Sequence, residues 1–177
     1  MLKEHNGPVG SVIKMDDYRV VSSNNWGAGT VISHNLFGIV GHSVFIRRRI
    51  IPSKSVDTCG IRVMIIMNEN TVLCGAMGRI VVITGITAYK IDTHYLAFEN
   101  GNAINDMIKM NNTTIITGSH KGSIDIWYLT RGPYFRKIKT VRLTGHNTPI
   151  VQLLLLNNTT LISMCWKTSS VWDLTNI

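Results

Sequence analysis

The sequence predicts an all-β chain assembled from four copies of one antiparallel unit. Three observations carry that prediction. One eight-residue pattern recurs four times, runs of β-forming residues end at polar turn formers, and no segment shows the apolar period of a helix.

The copies are Met15-Asp-Asp-Tyr-Arg-Val-Val-Ser22, Met67-Asn-Glu-Asn-Thr-Val-Leu-Cys74, Met110-Asn-Asn-Thr-Thr-Ile-Ile-Thr117 and Leu156-Asn-Asn-Thr-Thr-Leu-Ile-Ser163. Each has an apolar residue, a polar turn, two adjacent apolar residues and a small residue. The small anchors Ser22, Cys74, Thr117 and Ser163 are 52, 43 and 46 positions apart. Agreement extends upstream of them. Ten before the anchors stand Val12, Met64, Met107 and Leu153, and thirteen before stand Val9, Ile61, Ile104 and Ile150.

Within each copy the elements follow in order. A first strand is predicted over Val9–Met15, Ile61–Met67, Ile104–Met110 and Ile150–Leu156, and its nearly continuous apolar character predicts burial on both faces. The Asn and Asp pairs that follow tolerate the left-handed backbone of a tight hairpin. A second strand covers Arg19–Ser23, Thr71–Gly75, Thr113–Gly118 and Thr159–Met164. After a polar or Gly-containing turn, a third covers Thr30–Ser33, Arg79–Thr84, Ser123–Leu129 and Ser169–Leu174. Outer strands are expected within Phe37–Ile51, Thr87–Phe98 and Tyr134–Leu143.

Such units match the blades of a β-propeller. Leu143-Thr144-Gly145-His146, followed 26 residues after His146 by Trp172-Asp173, resembles the Gly-His and Trp-Asp landmarks of a WD (Trp-Asp) repeat. Thr117-Gly118-Ser119-His120-Lys121-Gly122-Ser123-Ile124-Asp125-Ile126-Trp127 resembles that repeat's second and third strands. The likeness is specific in the last two copies and weaker in the first two. It implies blades at about 5–51, 57–98, 100–143 and 146–177, within one propeller domain or partial propeller spanning 1–177. It also implies structural landmarks at His5, Ser22, Thr117, Trp127, His146, Ser163, Trp172 and Asp173. In the family a His, a Ser or Thr, an Asp and a Trp share one hydrogen-bond network. Here Trp26 and Lys121 stand where the first and third copies would carry Asp, and the last copy lacks that residue. No complete network is expected, and apolar packing must hold the blades. The family's usual ring has seven blades, so about four four-stranded blades imply an open ring whose end edges invite another chain.

The chain has 177 residues, 45% hydrophobic but only 16% charged, with a net charge of +8. Enough apolar side chain is present to exclude disorder, and too little charge for a coiled coil. Met1–Gly7 holds no apolar signal core, and no apolar run reaches the roughly 18 residues of a membrane span. A cytoplasmic or nuclear chain is therefore expected. Cys59, Cys74 and Cys165 form neither a disulfide framework nor a zinc pattern. No nucleophile elbow, phosphate loop, metalloprotease helix or dinucleotide fingerprint occurs. The sequence predicts no enzyme, cofactor or metal.

Half of the eighteen basic residues gather in two stretches: Arg47, Arg48, Arg49 and Lys54, and Arg131, Arg136, Lys137, Lys139 and Arg142. Both fall in the predicted outer strands and their flanking loops, where cations discourage edge-to-edge pairing. Yet a strand would send three consecutive arginines to both faces, and arginine pairs bidentately with carboxylate or phosphate. Tyr134 beside Arg136 and Lys137 suits RNA stacking. Two functions stay open. One is a non-enzymatic scaffold or adaptor, as the resemblance implies, holding protein subunits of a multisubunit complex that complete its propeller. The other is a basic RNA-binding component of a ribonucleoprotein or ribosome-assembly complex. A homodimer that closes the ring is a third arrangement of the same chain.

Overall fold

The computed structural model describes residues 5, 7–17, 19–25, 31–39, 42–49, 60–86, 92–97, 102–130 and 135–177, with backbone alone for 33–39, 42–49 and 97. Fifteen strands are described, and no helix among them. The first sheet holds β1 (Val9–Lys14), β2 (Arg19–Asn24), β3 (Val31–Ile39) and β4 (His42–Arg49). The second holds β5 (Val63–Asn68), β6 (Thr71–Ala76), β7 (Arg79–Thr84) and β8 (Asp92–Ala97). The third holds β9 (Ile104–Lys109), β10 (Thr114–Ser119), β11 (Ile124–Leu129) and β12 (Lys137–Leu143). A three-stranded sheet of β13 (Ile150–Asn157), β14 (Thr160–Cys165) and β15 (Ser169–Asp173) ends the series. Every pairing is antiparallel between neighbours in sequence, so each sheet is a meander.

The repeat arithmetic is the hydrogen-bond register. Ser22 faces Val12, Cys74 faces Met64, Thr117 faces Met107 and Ser163 faces Leu153. The turns that set this register work by a different device from the one expected. Among the described residues no non-glycine has a positive φ. Instead, the side-chain oxygens of Asn68, Asn111 and Asn157 accept the backbone N–H two residues on, at 3.0, 2.9 and 2.8 Å. The last two also accept the hydroxyls of Thr113 and Thr159. The polar pairs make Asx turns, which need no left-handed backbone.

In the first sheet the third strand runs on to Ile39 instead of ending at Ser33, because β-forming residues continue through Phe37-Gly38-Ile39, which pair with Val44, Ser43 and His42. The outer strand occupies His42–Arg49, inside the expected span Phe37–Ile51. Lys54, Arg131 and Tyr134 lie outside the described residues.

The burial expected of the first strands belongs to the second and third. All six residues of β6 and of β10 are buried, whereas β1 and β13 expose Val9, Val12, Val151, Leu154 and Leu156. A first strand is the inner edge of its sheet and pairs on one side only.

Three apolar clusters fill the spaces between successive sheets. Val21 and Val31 meet Met64, Val72, Cys74 and Val81. Leu73, Ile80 and Val82 meet Ile104, Met107, Ile115 and Trp127. Ile116, Ile124 and Ile126 meet Ile150, Leu153 and Leu161. First strands β1, β5, β9 and β13 lie side by side in chain order, as the inner strands of propeller blades do, and the ring is not closed.

The seating is close. A Cβ on Gly118 would stand 2.4 Å from Ile150 Cγ2, and one on Gly75 2.8 Å from Ile104 Cγ2. Gly118→Ala should therefore cost about 1–3 kcal/mol by overpacking, and combining it with Ile150→Ala, which removes the Cγ2 methyl, should cost less than the sum of the two single changes. Thermal unfolding of the single and double variants checks both statements.

Candidate interaction surface at the inner-strand mouth

The landmark residues form short hydrogen-bonded chains inside the sheets. In the last sheet Ser163 Oγ lies 2.7 Å from Trp172 Nε1, which donates to it, and 2.6 Å from His146 Nε2. The two rings meet edge-on with centroids 6.0 Å apart. In the third sheet Trp127 Nε1 donates to Thr117 Oγ1 at 2.9 Å, and that hydroxyl donates to the Asp125 carbonyl at 3.4 Å. In the first, His5 Nε2 and Ser22 Oγ are 2.7 Å apart. Polar chains therefore join the apolar packing, although the expectation was of apolar packing alone. Asp173 stands apart: it is exposed, and Thr175 donates to its carboxylate through both the backbone N–H and the hydroxyl. Those two bonds, hydroxyl first, hold its pKa below the ordinary carboxylate value.

The basic residues divide. The backbones of Arg47, Arg48 and Arg49 pair in β4 with His34, Ser33 and Ile32. Arg142 Nε donates to Asp125 Oδ1 at 2.6 Å, and the Asp125 side chain is fully buried. Lys137 Nζ lies 5.8 Å from the Trp127 ring centroid and Lys139 Nζ 5.7 Å from that of Tyr128. These cations cover their own sheet, stem and charge together. Arg136 is exposed.

A different group converges. At the end of the sheets where the first strands begin and the second strands turn into the third, an open groove of about 290 Å³ is lined by Asn25, Arg62, Asn105, His120, Ile150, Val151 and Trp166. Asn25, His120 and Trp166 stand three residues after the anchors Ser22, Thr117 and Ser163, so each falls in a second-to-third-strand turn. Arg62, Asn105 and Val151 stand twelve before the anchors Cys74, Thr117 and Ser163, at the first-strand starts. The repeat thus carries these side chains to one mouth. Among them only His120 stands out in the sequence, within the segment that resembles a WD repeat, yet both offsets are countable there.

Arg62 Nη1 donates to Asn105 Oδ1 at 2.7 Å, and Asn105 Nδ2 donates to the Ile150 carbonyl at 3.0 Å. This chain fixes the guanidinium across the first strands of three sheets. Trp166 is 74% exposed, an unusual cost for a large ring in a folded chain. Among the described residues no carboxylate lines the groove. Its chemistry is a cation, an imidazole, amides and an indole around a narrow apolar floor, which suits an acidic, extended ligand.

No protein-family profile matches the chain, and no curated protein sequence does. Solved structures do. The WD40 β-propeller domain of Doa1 superposes with a TM-score of 0.57 at 15% identity, over 99% of this chain and 68% of that one. Two structures of Sqt1 from Chaetomium thermophilum superpose with TM-scores of 0.65 and 0.67 at 16% identity, over 96% and 97% of this chain. The chain spans less than half of each Sqt1 chain, 44% and 45%. At these identities the likeness is one of fold: the sheets are blades of a WD40-type propeller.

Truncating the buried pair should be costly. Arg142→Ala leaves the Asp125 carboxylate buried without its guanidinium and should lower stability by about 2–3 kcal/mol, below the fully buried range because Arg142 is partly exposed. Ser163→Ala removes the shared partner of His146 and Trp172 and should cost roughly 1–3 kcal/mol. Urea unfolding at neutral pH measures both.

Proposed function

We propose that this chain is a non-enzymatic scaffold that holds an acidic, extended segment of a protein partner across the inner-strand groove, within a multisubunit assembly of the cytoplasm or nucleus. The observation that carries this reading is the convergence of Arg62, Asn105, His120 and the exposed Trp166 on one mouth, with no carboxylate among its described lining residues. Its fold, shared with the WD40 propellers of Doa1 and Sqt1, is compatible with that role.

Asp16, Asp17, Asp106 and Asp125 are engaged in structural bonds, which supports a non-catalytic role. Asp125 pairs with Arg142, Asp16 with Arg19 and Asp17 with Lys14. Asp106 accepts from the backbone N–H groups of Met107 and Leu153, at 2.8 and 2.6 Å, and burial raises its pKa. Burial likewise pushes the Cys74 thiol far above its ordinary range, leaving it no thiolate character at neutral pH.

RNA binding is less well supported. Arg142, Lys137 and Lys139, which suggested it, are turned to structural contacts with Asp125, Trp127 and Tyr128. A filter-binding titration against salt separates the readings, since phosphate contacts lose affinity steeply as salt rises.

Affinity capture on the intact chain identifies the partner, and titration with acidic peptides from that partner measures the site. Trp166→Ala should weaken binding about 30-fold and Arg62→Ala about tenfold, the losses expected of an aromatic anchor and a charge-assisted contact. Wild-type affinity in both variants would remove the groove from the account.

A further inference from the structure

An arginine held by a carboxylate differs from one held by an amide, and this chain contains both. Arg142 donates to the buried Asp125 carboxylate at 2.6 Å, and Arg19 pairs with Asp16. In each pair the acid orients the guanidinium and also neutralises it, so little charge is left for a ligand. Arg62 is held differently. Its Nη1 donates to Asn105 Oδ1 at 2.7 Å, and among the described residues no carboxylate pairs with it. The nearest acid in sequence, Asp106, is taken up by the backbone N–H groups of Met107 and Leu153. A neutral amide restricts the Arg62 side chain and leaves its full charge in place.

The amide has no freedom to turn. Asn105 Nδ2 donates to the Ile150 carbonyl at 3.0 Å, so its oxygen must face Arg62. A flipped amide would set oxygen against carbonyl and NH2 against guanidinium. Backbone packing fixes both ends of this chain. Ile104, the neighbour of Asn105, sits over Gly75, and Ile150 sits over Gly118. The Arg62 backbone N–H donates to the Gly75 carbonyl at 3.2 Å, so Arg62 and Asn105 take their heights from one glycine. Arg62 leads into the second sheet and Asn105 lies in the third, and both of these sheets have packed neighbours on either side.

We propose that Asn105 is the positioning residue of the groove. Given the groove as the binding site, Asn105 holds the exposed Arg62 guanidinium with its charge intact, and the remaining N–H groups take both oxygens of one Asp or Glu side chain of the ligand. An unrestrained arginine loses rotamer freedom when it binds; here that loss has occurred on folding. The residue type matters. Aspartate at 105 would neutralise the guanidinium and face the Ile150 carbonyl with no proton to donate, and alanine would leave the long side chain unrestrained.

Fluorescence anisotropy with a fluorescein-labelled hexaglutamate peptide, and hexaglutamine as its neutral control, tests this role on the intact chain. Asn105→Ala should weaken hexaglutamate binding about fivefold, the size of one side chain's lost rotamer freedom, and should have no further effect in an Arg62→Ala background. Arg62→Lys, at an exposed position, keeps the charge without the planar fork and should weaken binding by a similar factor. Circular dichroism confirms that each variant is folded. Isotope-labelled arginine gives a readout without peptide: the Arg62 Nε–H group should be restricted in the wild type and mobile in Asn105→Ala.

Wild-type affinity in Asn105→Ala or Arg62→Lys, with Arg62→Ala weakened, overturns the positioning role and keeps the groove as the site. So does an Arg62 Nε–H group as mobile in the wild type as in Asn105→Ala. A loss from Asn105→Ala that persists without Arg62 also overturns it, because Asn105 would then act on the ligand or the fold directly. Equal binding of hexaglutamate and hexaglutamine overturns the assignment to a carboxylate. Wild-type affinity in Arg62→Ala removes the groove itself.

Discussion

Close approach of one sheet's inner strand to the next sheet's backbone governs this molecule. Ile104 lies over Gly75 and Ile150 over Gly118, at distances that admit no Cβ. Packing at that range brings whole sheets together, buries β6, β7, β10 and β11, and aligns the first strands about one axis. Once the strands are aligned, residues at equal offsets from the anchors must arrive at equal heights. The groove is a by-product of that alignment. Apart from Ile150 and Val151, its members are far apart in sequence, and strand alignment brings them together.

The polar chains act at a different radius. Thr117 with Trp127, and Ser163 with His146 and Trp172, tie second strands to third strands and to the segment entering the sheet. They satisfy buried hydroxyls and indoles that would otherwise each cost about 1–3 kcal/mol, and they fix the rotation of the large rings that pack against the preceding sheet. Apolar contact supplies most of the attraction between sheets, and the hydrogen bonds specify how each sheet is arranged internally.

Strand order and register were legible in the sequence, because the anchors and the residues ten before them are cross-strand partners. The hairpin positions were legible too, although Asn68, Asn111 and Asn157 act through side-chain acceptance and not through backbone handedness. Burial was harder. Val12 and Met107 are equivalent in the repeat, yet one has a sheet in front of it and the other does not, so pattern alone could not separate them. Trp166 reads like any core indole until its turn is placed at the mouth. The Asp125–Arg142 pair depends on the register of β11 with β12, which is set across a connection whose length does not announce it. Charge clustering drew attention to Lys137, Lys139 and Arg142. Arg62, Asn105 and Trp166 drew none, although their offsets from the anchors are countable in the sequence.

The three apolar clusters have a consequence for how the chain comes apart. Each joins only adjacent sheets, so stability is distributed along a line of nearest-neighbour couplings, much as in a one-dimensional Ising chain. The second and third sheets have two couplings each and the outer two have one. Local opening therefore begins at the ends and works inward, and the amides of β6 and β10 are the last to exchange with solvent.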